Sequence, residues 1–545
     1  MSDFDVIVIG SGAGGLAAAL PIAQAGRKVL VLEQHEIPGG WSQTFTLDGY
    51  RFSPGVHYIG ELHPGGWLRG VYEGLGVSRD LTFFELNPDG FDHVFLGEER
   101  FDIPKGKEYF AERLKERFPR EAEGIVGYLD AVDALMRNLS NLGKINSVGR
   151  ALRTAPQALS VLRWYRKTGA DLIDTYISDP TLKGILSAQA GDYGLPPSQA
   201  SVFMHAGVTH HYFNGGYYPR GGGGAIPKAF VRALKRAGGE IRLQTPVTRI
   251  LLRNNRVLGV EIADGEKITA DVVISNADPE VTFGRLIGRE NLPSGLRKKV
   301  DGLRYSVSSL SLFFAVDMDL RSAGLDSGNY WYYDSADIDG LYKLGLTNEV
   351  LTLAQPPAFF LTVTTLKDPT KMHHGHHTLE MFSFVGYEAF VKWAHSRPGQ
   401  RPHEYEAMKE ELAERMFRAL ERPIPGIGKH VVFWNLASPL TNEFYINATR
   451  GSLYGISKTP DQVGPKGFNI TTPFDGLLLC GASTLSHGIS GVTSTGLAAA
   501  RKVLGARTRD LLTQGGPPLQ IYSSDDSAQW PVELRRRAES GRQMQ

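Results

Sequence analysis

The sequence has a single cysteine, Cys480, in 545 residues. A disulfide within one chain is therefore excluded, as is a zinc or iron–sulfur site built on several thiolates. Charge of one sign is missing too: 59 Lys and Arg stand against 58 Asp and Glu, a formal net charge of +1. That balance excludes the basic footprint of a general nucleic-acid binder. No run reaches the roughly 18 apolar residues of a membrane-spanning helix. The opening MSDFDVIVIG is already a strand and leaves no room for a secretory signal. HExxH, CxxC and a hydrolytic Ser-His-Asp spacing are absent, and no internal repeat is evident. A folded cytoplasmic protein is expected, with peripheral membrane contact left open. A chain with 42% hydrophobic residues is too apolar for general disorder, and its length predicts more than one core.

Glycine, by contrast, is abundant, with 63 residues where an average chain has roughly 7%. Such an excess goes into loops that bring backbone close to something. The run Asp5–Ile9, DVIVI, suits a parallel strand buried on both faces. Gly10, Gly12 and Gly15 follow at G-x-G-x-x-G spacing, with Ala13 and Gly14 between them, and LAAALPIAQAG then continues as a helix. Gly10 permits the tight turn, Gly12 lets backbone approach a pyrophosphate, and Gly15 lets helix and strand pack. The helix N-terminus turns free N–H groups toward phosphates. A second strand, Lys28–Leu32, ends at Glu33, 18 positions after Gly15, where a carboxylate meets a ribose. A glycine-rich turn without a ligand is the rival reading; strand, fingerprint, helix, strand and terminal acid together outweigh it. Pro21, inside the helix, predicts a kink costing about 3 kcal/mol.

After Glu33 come Gln34, then Gly39, Gly40 and Thr44. This extension resembles that of FAD-dependent oxidoreductases of the amine oxidase, phytoene desaturase and retinol saturase superfamily. GVHYIG at 55–60, KDPT at 367–370 and SPLTNEFY at 438–445 resemble its retinol saturase and carotenoid isomerase branch. One departure is Trp41-Ser42, where the saturases carry small thiol residues. The resemblance covers about residues 4–505. It implies FAD and an α/β fold, with a Rossmann-type FAD-binding domain interleaved with a mixed α+β substrate domain. The first would be assembled from 1–70, 210–290 and 470–505, the second from 71–209 and 291–469. Residues 506–545 read as a polar C-terminal tail. The resemblance further implies that Gln34 joins Glu33 at the cofactor and that the Val247 backbone contacts adenine. Gly481 and Ala482 would form the turn after a late strand. Gly491 and Val492 would open a helix whose dipole faces the flavin. Ala482 stands where an Asp is frequent, so no ribityl hydrogen bond is expected there. Cys480 reads as a small buried hydrophobe. The run Gly221–Gly224 is expected to let backbone pass close to the flavin.

The catalytic residues are left unassigned, with His57 and Tyr58 as candidates. His57 would line a substrate tunnel, orient the flavin or hydrogen-bond beside it; Tyr58 would be a proton donor or a packed wall. His205, His210 and His211 would approach the flavin or support a turn. His373, His374, His376 and His377 have no nearby carboxylate or thiolate set, so no metal is expected. Between Asp133 and Asp171 every charged side chain is basic: Arg137, Lys144, Arg150, Arg153, Arg163, Arg166 and Lys167. With Trp164 and Tyr165 interleaved, 137–167 fits an anionic bilayer or a solvated helical face. The expected function is FAD-dependent chemistry on carbon–carbon double bonds of a lipophilic polyene, by saturation, desaturation or isomerisation. The alternatives are a flavin amine oxidase and a non-catalytic lipid-binding escort protein of the same fold. One dinucleotide fingerprint leaves no dedicated NAD(P)H domain, and the electron partner is unread.

Overall fold

The computed structural model describes residues 2–142 and 155–543. Lys144, Arg150 and Arg153 of the basic stretch lie outside the described residues. One seven-stranded sheet runs Val247–Arg253, Arg256–Ile262, Lys267–Ser275, Phe4–Ile9, Val29–Leu32, Glu240–Arg242, with Leu477–Leu479 also paired to Lys267–Ser275. Phe4–Ile9 sits at its centre, parallel to both neighbours. Its side chains alternate between two cores. Val6 and Val8 pack with Leu16, Leu20 and Leu497 from two helices, while Ile7 and Ile9 pack with Val260, Phe283 and Leu479. Burial on both faces is why the strand reads as continuously apolar. The strands of this sheet come from within 1–70, 210–290 and 470–505.

The helix Ala13–Gln24 continues through Pro21. Pro21 lies in the last turn, which closes with the Ala25 N–H donating to the Pro21 and Ile22 carbonyls. This helix crosses the helix Gly488–Leu504 backbone to backbone. A Cβ on Gly496 would strike the Gly14 carbonyl and lie 2.9 Å from the Ala17 Cβ.

The second seven-stranded sheet runs Val431–Ala437, Ser308–Val316, His377–Val385, Ala358–Val363, Asn329–Tyr333, Asp92–Leu96, Glu99–Ile103. It is antiparallel except where Asn329–Tyr333 meets Asp92–Leu96. Leu310, Leu312 and Phe314 pack on one face with the helix His403–Leu420. Phe313, Trp331, Phe360 and Phe382 pack on the other.

A third, small sheet joins Gln520–Ser523, Thr82–Glu85 and Tyr217–Pro219. The stretch read as a polar tail thus contributes a strand, parallel to Thr82–Glu85, and the helix Val532–Gln543. Trp530 is 3% exposed and packs on Phe84 with ring centroids 5.0 Å apart. Leu534 and Ala538 complete that cluster. Its apolar residues recur at every fourth position among charges, which composition averages away. Trp164, read as an interfacial aromatic, is buried at 9% exposure, and the large apolar side chains exposed nearby are Leu159 and Leu162. Among the described residues no helix is long and apolar enough to cross a membrane.

Candidate functional site

A cavity of about 940 Å³ lies between the two large sheets. Gly10, Gly12, Ala13, Gly14, Glu33, Gln34, Gly39, Gly40, Val247, Gly481, Ala482, Gly491 and Val492 line it, and so do His57 and Tyr58. Gly15 does not line it: a Cβ there would strike the Gly10 carbonyl and lie 3.3 Å from Val8, so Gly15 serves packing.

One end of the cavity is built from chain turns and helix starts. Gly10 has φ +90° and Gly39 φ +126°, backbone that side-chain-bearing residues rarely adopt. The helices Ala13–Gln24 and Gly488–Leu504 both begin here, without a side-chain cap or an acidic residue in the first turn. Their first N–H groups lack intrahelical partners, and both dipoles favour an anion. Glu33 ties the loops together. Its Oε2 accepts from the Ser11 N–H at 2.8 Å and hydroxyl at 2.6 Å, and its Oε1 accepts from the His35 N–H at 2.9 Å. Ser11 Oγ in turn accepts from the Gly39 N–H at 3.1 Å. A Cβ on Gly12 or Gly14 would lie 2.7 Å from the Asn276 amide. These donors, glycines and uncapped helix starts fit a dinucleotide.

The run Gly221–Gly224 is not part of this lining, contrary to expectation. Its N–H groups are engaged elsewhere: Gly221 donates to Asp368 at 2.6 Å, Gly223 to Ser53 Oγ at 3.0 Å and Gly224 to Thr44 Oγ1 at 2.8 Å. Close packing explains three of them, Gly222 and Gly224 against Thr44 and Gly223 against Val56, while Gly221 is placed by its φ of +89°.

The other end is a face of the second sheet. Register aligns Trp331, Phe360 and Phe382 across three neighbouring strands, and all three line the cavity. Two residues along, on the same face, register aligns Asp92, Asn329, Thr362 and Glu380. A row of aromatic rings thus lies beside a row of polar groups. His57 stands over the rings, 4.6 Å from Phe382 and 5.4 Å from Phe360. Its Nδ1 is 3.0 Å from Glu380 Oε2, and burial outweighs that carboxylate in lowering its pKa. Tyr58 stacks on Tyr212 at 4.2 Å. Its hydroxyl lies 2.6 Å from Asp192 Oδ2 and 3.1 Å from Asp92 Oδ2.

Lys367, from the KDPT segment, is fully buried. It donates to the His57 carbonyl at 2.7 Å and to Asn329 Oδ1. Burial lowers its pKa to about 7, against the pull of Asp92 and Glu380. The segment therefore fastens GVHYIG to the polar row. Asp92, Asn329 and Glu380 were missed in the sequence, because cross-strand register joins residues up to 288 positions apart. Asp192 was missed because it ends the short helical turn Ala188–Asp192 and meets Tyr58 only through tertiary packing.

His210 and His211 line the cavity, whereas His205 does not. His211 Nε2 accepts from the Gly60 N–H at 2.8 Å. His205 is held by Tyr128 at 2.7 Å, and burial lowers its pKa to about 4. His373, His374 and His376 sit at a turn against Tyr50, whose hydroxyl is 2.6 Å from His376 Nδ1. Cys480 is buried, which raises its thiol pKa.

Residues 13–504 match the family described as flavin containing amine oxidoreductase, and the chain belongs to that family. It is 30% identical to the all-trans-retinol 13,14-reductase of Danio rerio, over 92% of this chain and 86% of that one. It is 28% identical to the chloroplastic prolycopene isomerase of Arabidopsis thaliana, over 92% and 82%. Among solved structures, an oxidoreductase from Methanosarcina mazei shares the fold with a TM-score of 0.59 at 18% identity, over 90% of this chain and 99% of that one.

Proposed function

We propose that this member of the flavin containing amine oxidoreductase family is an FAD-dependent enzyme acting on carbon–carbon double bonds of a lipophilic polyene, a retinoid or carotenoid, by saturation, desaturation or isomerisation. The observation that carries the reading is the cavity, which combines uncapped helix starts and glycine loops with a row of aromatic rings. The names of the reductase and isomerase relatives support the same substrate class.

Gly10, Gly12, Ala13 and Gly14 would hold the FAD pyrophosphate, with Gly15 packing behind them. Glu33 and Gln34 would face the ribose, Val247 the adenine, and Gly39-Gly40 the ribityl side. Gly481, Ala482, Gly491 and Val492 would border the flavin ring. FAD bound there supplies hydride exchange with a conjugated chain. The chain's own residues do the remainder. Trp331, Phe360 and Phe382 offer an apolar wall that excludes water, and His57 and Tyr58 mark where it turns polar. The division into an FAD-binding part (1–70, 210–290, 470–505) and a substrate part (71–209, 291–469) belongs to this reading. So does contact of 137–167 with an anionic membrane, which would deliver an apolar substrate.

The test is anaerobic incubation of oxidised and of reduced enzyme with retinol, phytoene, poly-cis-lycopene and unsaturated fatty acids, followed by chromatography with mass detection. A product differing by two hydrogens or in double-bond geometry is expected. Reoxidation or reduction of the flavin by an amine alone would establish the amine oxidase alternative. A protein that purifies colourless would favour the escort alternative.

A further inference from the structure

We propose that Asp192 exchanges the proton with the polyene carbon, resting on the reading of the cavity as a polyene site. Saturating a double bond takes a hydride at one carbon and a proton at the other. FAD, when bound in its reduced form, would be the two-electron reductant that supplies the hydride. The Asp192 O–H bond breaks, a C–H bond forms, and the carboxylate left behind keeps the Tyr58 hydrogen bond. Desaturation runs the same transfer backwards.

The position of Asp192 is the first argument. It lines the cavity next to Gly191, where a Cβ would strike the Trp331 ring and lie 2.8 Å from the Phe384 ring. The Gly191 backbone therefore rests against Trp331 of the aromatic row, and Asp192 is the next residue along the chain.

Hydrogen bonding decides which of the two carboxyls carries the proton. Asp92 is fully buried and accepts from Gln189 Nε2 at 2.8 Å and Asn329 Nδ2 at 2.9 Å. Two amide donors stabilise its charged form. Asp192 has Tyr58 as its hydrogen-bond partner among the described residues. Two carboxyls converging on one phenol do not ionise together readily, and the one with fewer donors keeps the proton. Burial, then the Asp92 charge, moves Asp192 up to about 8, while burial against these donors leaves Asp92 at about 6. Lys367 is the cation facing the pair, and it pulls Asp192 the other way. Tyr58, Tyr193, Tyr212, Tyr333 and Tyr454 are further titratable neighbours of Asp192, and burial raises all five. His57 faces Glu380 instead.

The experiment uses purified flavin-loaded enzyme, wild type against Asp192→Asn, Asp192→Glu and His57→Gln. Anaerobic single turnovers of the reduced enzyme with retinol are followed by flavin reoxidation. Asp192→Asn is expected to slow reoxidation about 100-fold or more, the range removed with a general acid, at unchanged flavin occupancy. Asp192→Glu restores part of the rate. Infrared titration supplies a readout independent of turnover: wild type minus Asp192→Asn should show one carboxylic acid band, lost with a midpoint near 8. Turnover of Asp192→Asn within threefold of wild type, absence of that band at neutral pH, or the 100-fold loss falling on His57→Gln instead would each overturn the assignment. A wild type that converts no polyene at all fails the functional reading itself, and this assignment with it.

Discussion

His93 is buried between two carboxylates, its Nδ1 2.7 Å from Asp102 Oδ1 and its Nε2 2.9 Å from Asp326 Oδ1. Both ring nitrogens act as donors only in the imidazolium. Burial pushes the His93 pKa down, but the two hydrogen bonds prevail and hold it at about 9. Burial pushes Asp102 up, and His93 and Arg100 bring it down to about 2. The sign follows from linkage. The His93 contribution is complete below its unfolded value near 6.5 and is lost as pH rises through about 9. The Asp102 contribution is complete above its unfolded value and fades as pH falls through about 2. Thermal melting at intervals from pH 6 to 10 should show stability falling across the upper window in wild type. His93→Gln should lower stability at pH 6 and flatten that slope. An unchanged slope would remove His93 as its cause. At this scale the sequence was legible where a residue's work is local. Gly10 and Gly12 lie in one strand–turn–helix unit and Glu33 just after the next strand, so their placement at the cavity could be read directly. Asp192 could not, because its chemistry depends on Asp92, one hundred positions earlier.

Elements were legible when their own periodicity carried the signal. DVIVI is apolar on both faces, and the strand it predicts lies at the centre of a parallel sheet. The row Trp331, Phe360 and Phe382 was not legible, since its three residues belong to strands whose register is fixed by tertiary pairing. The C-terminal segment was misread for a related reason: its polar composition hid a strand that closes the edge of Thr82–Glu85. Trp530 anchors that segment, with its ring on Phe84 and its Nε1 donating to the Ser523 carbonyl at 2.7 Å. Removing a buried Trp side chain costs about 3–5 kcal/mol. Trp530→Ala should therefore lower the melting temperature and speed proteolysis after residue 516, while Trp530→Phe loses less. Equal melting of Trp530→Ala and wild type would show that the segment adds nothing to the fold.

For the whole molecule, a net charge of +1 conceals an uneven distribution. The helix Ala155–Trp164 presents Leu159 at 68% and Leu162 at 65% exposure. Arg163 on this helix, with Arg166 and Lys167 just beyond it, supplies positive charge, and no acidic residue occurs between Asp133 and Asp171. Exposed leucines beside cations are what an anionic bilayer surface binds. The helix packs on Ala122–Leu142, whose Met136 and Leu139 line the cavity. Membrane contact at this face would therefore place the lipid phase one helix away from the aromatic end of the site. The expected result is flotation with vesicles rich in anionic lipid, weaker on neutral vesicles and weaker in high salt, because the Debye length shrinks from about 10 Å at 0.1 M to about 3 Å at 1 M. Leu159→Ser with Leu162→Ser should reduce flotation even at low salt, and Arg163→Glu should remove the preference for anionic lipid. Both variants should keep their flavin absorbance, since neither position touches the glycine loops. Equal flotation on neutral and anionic vesicles, or double-serine protein floating as wild type does, would assign the basic stretch to a solvated helical face instead.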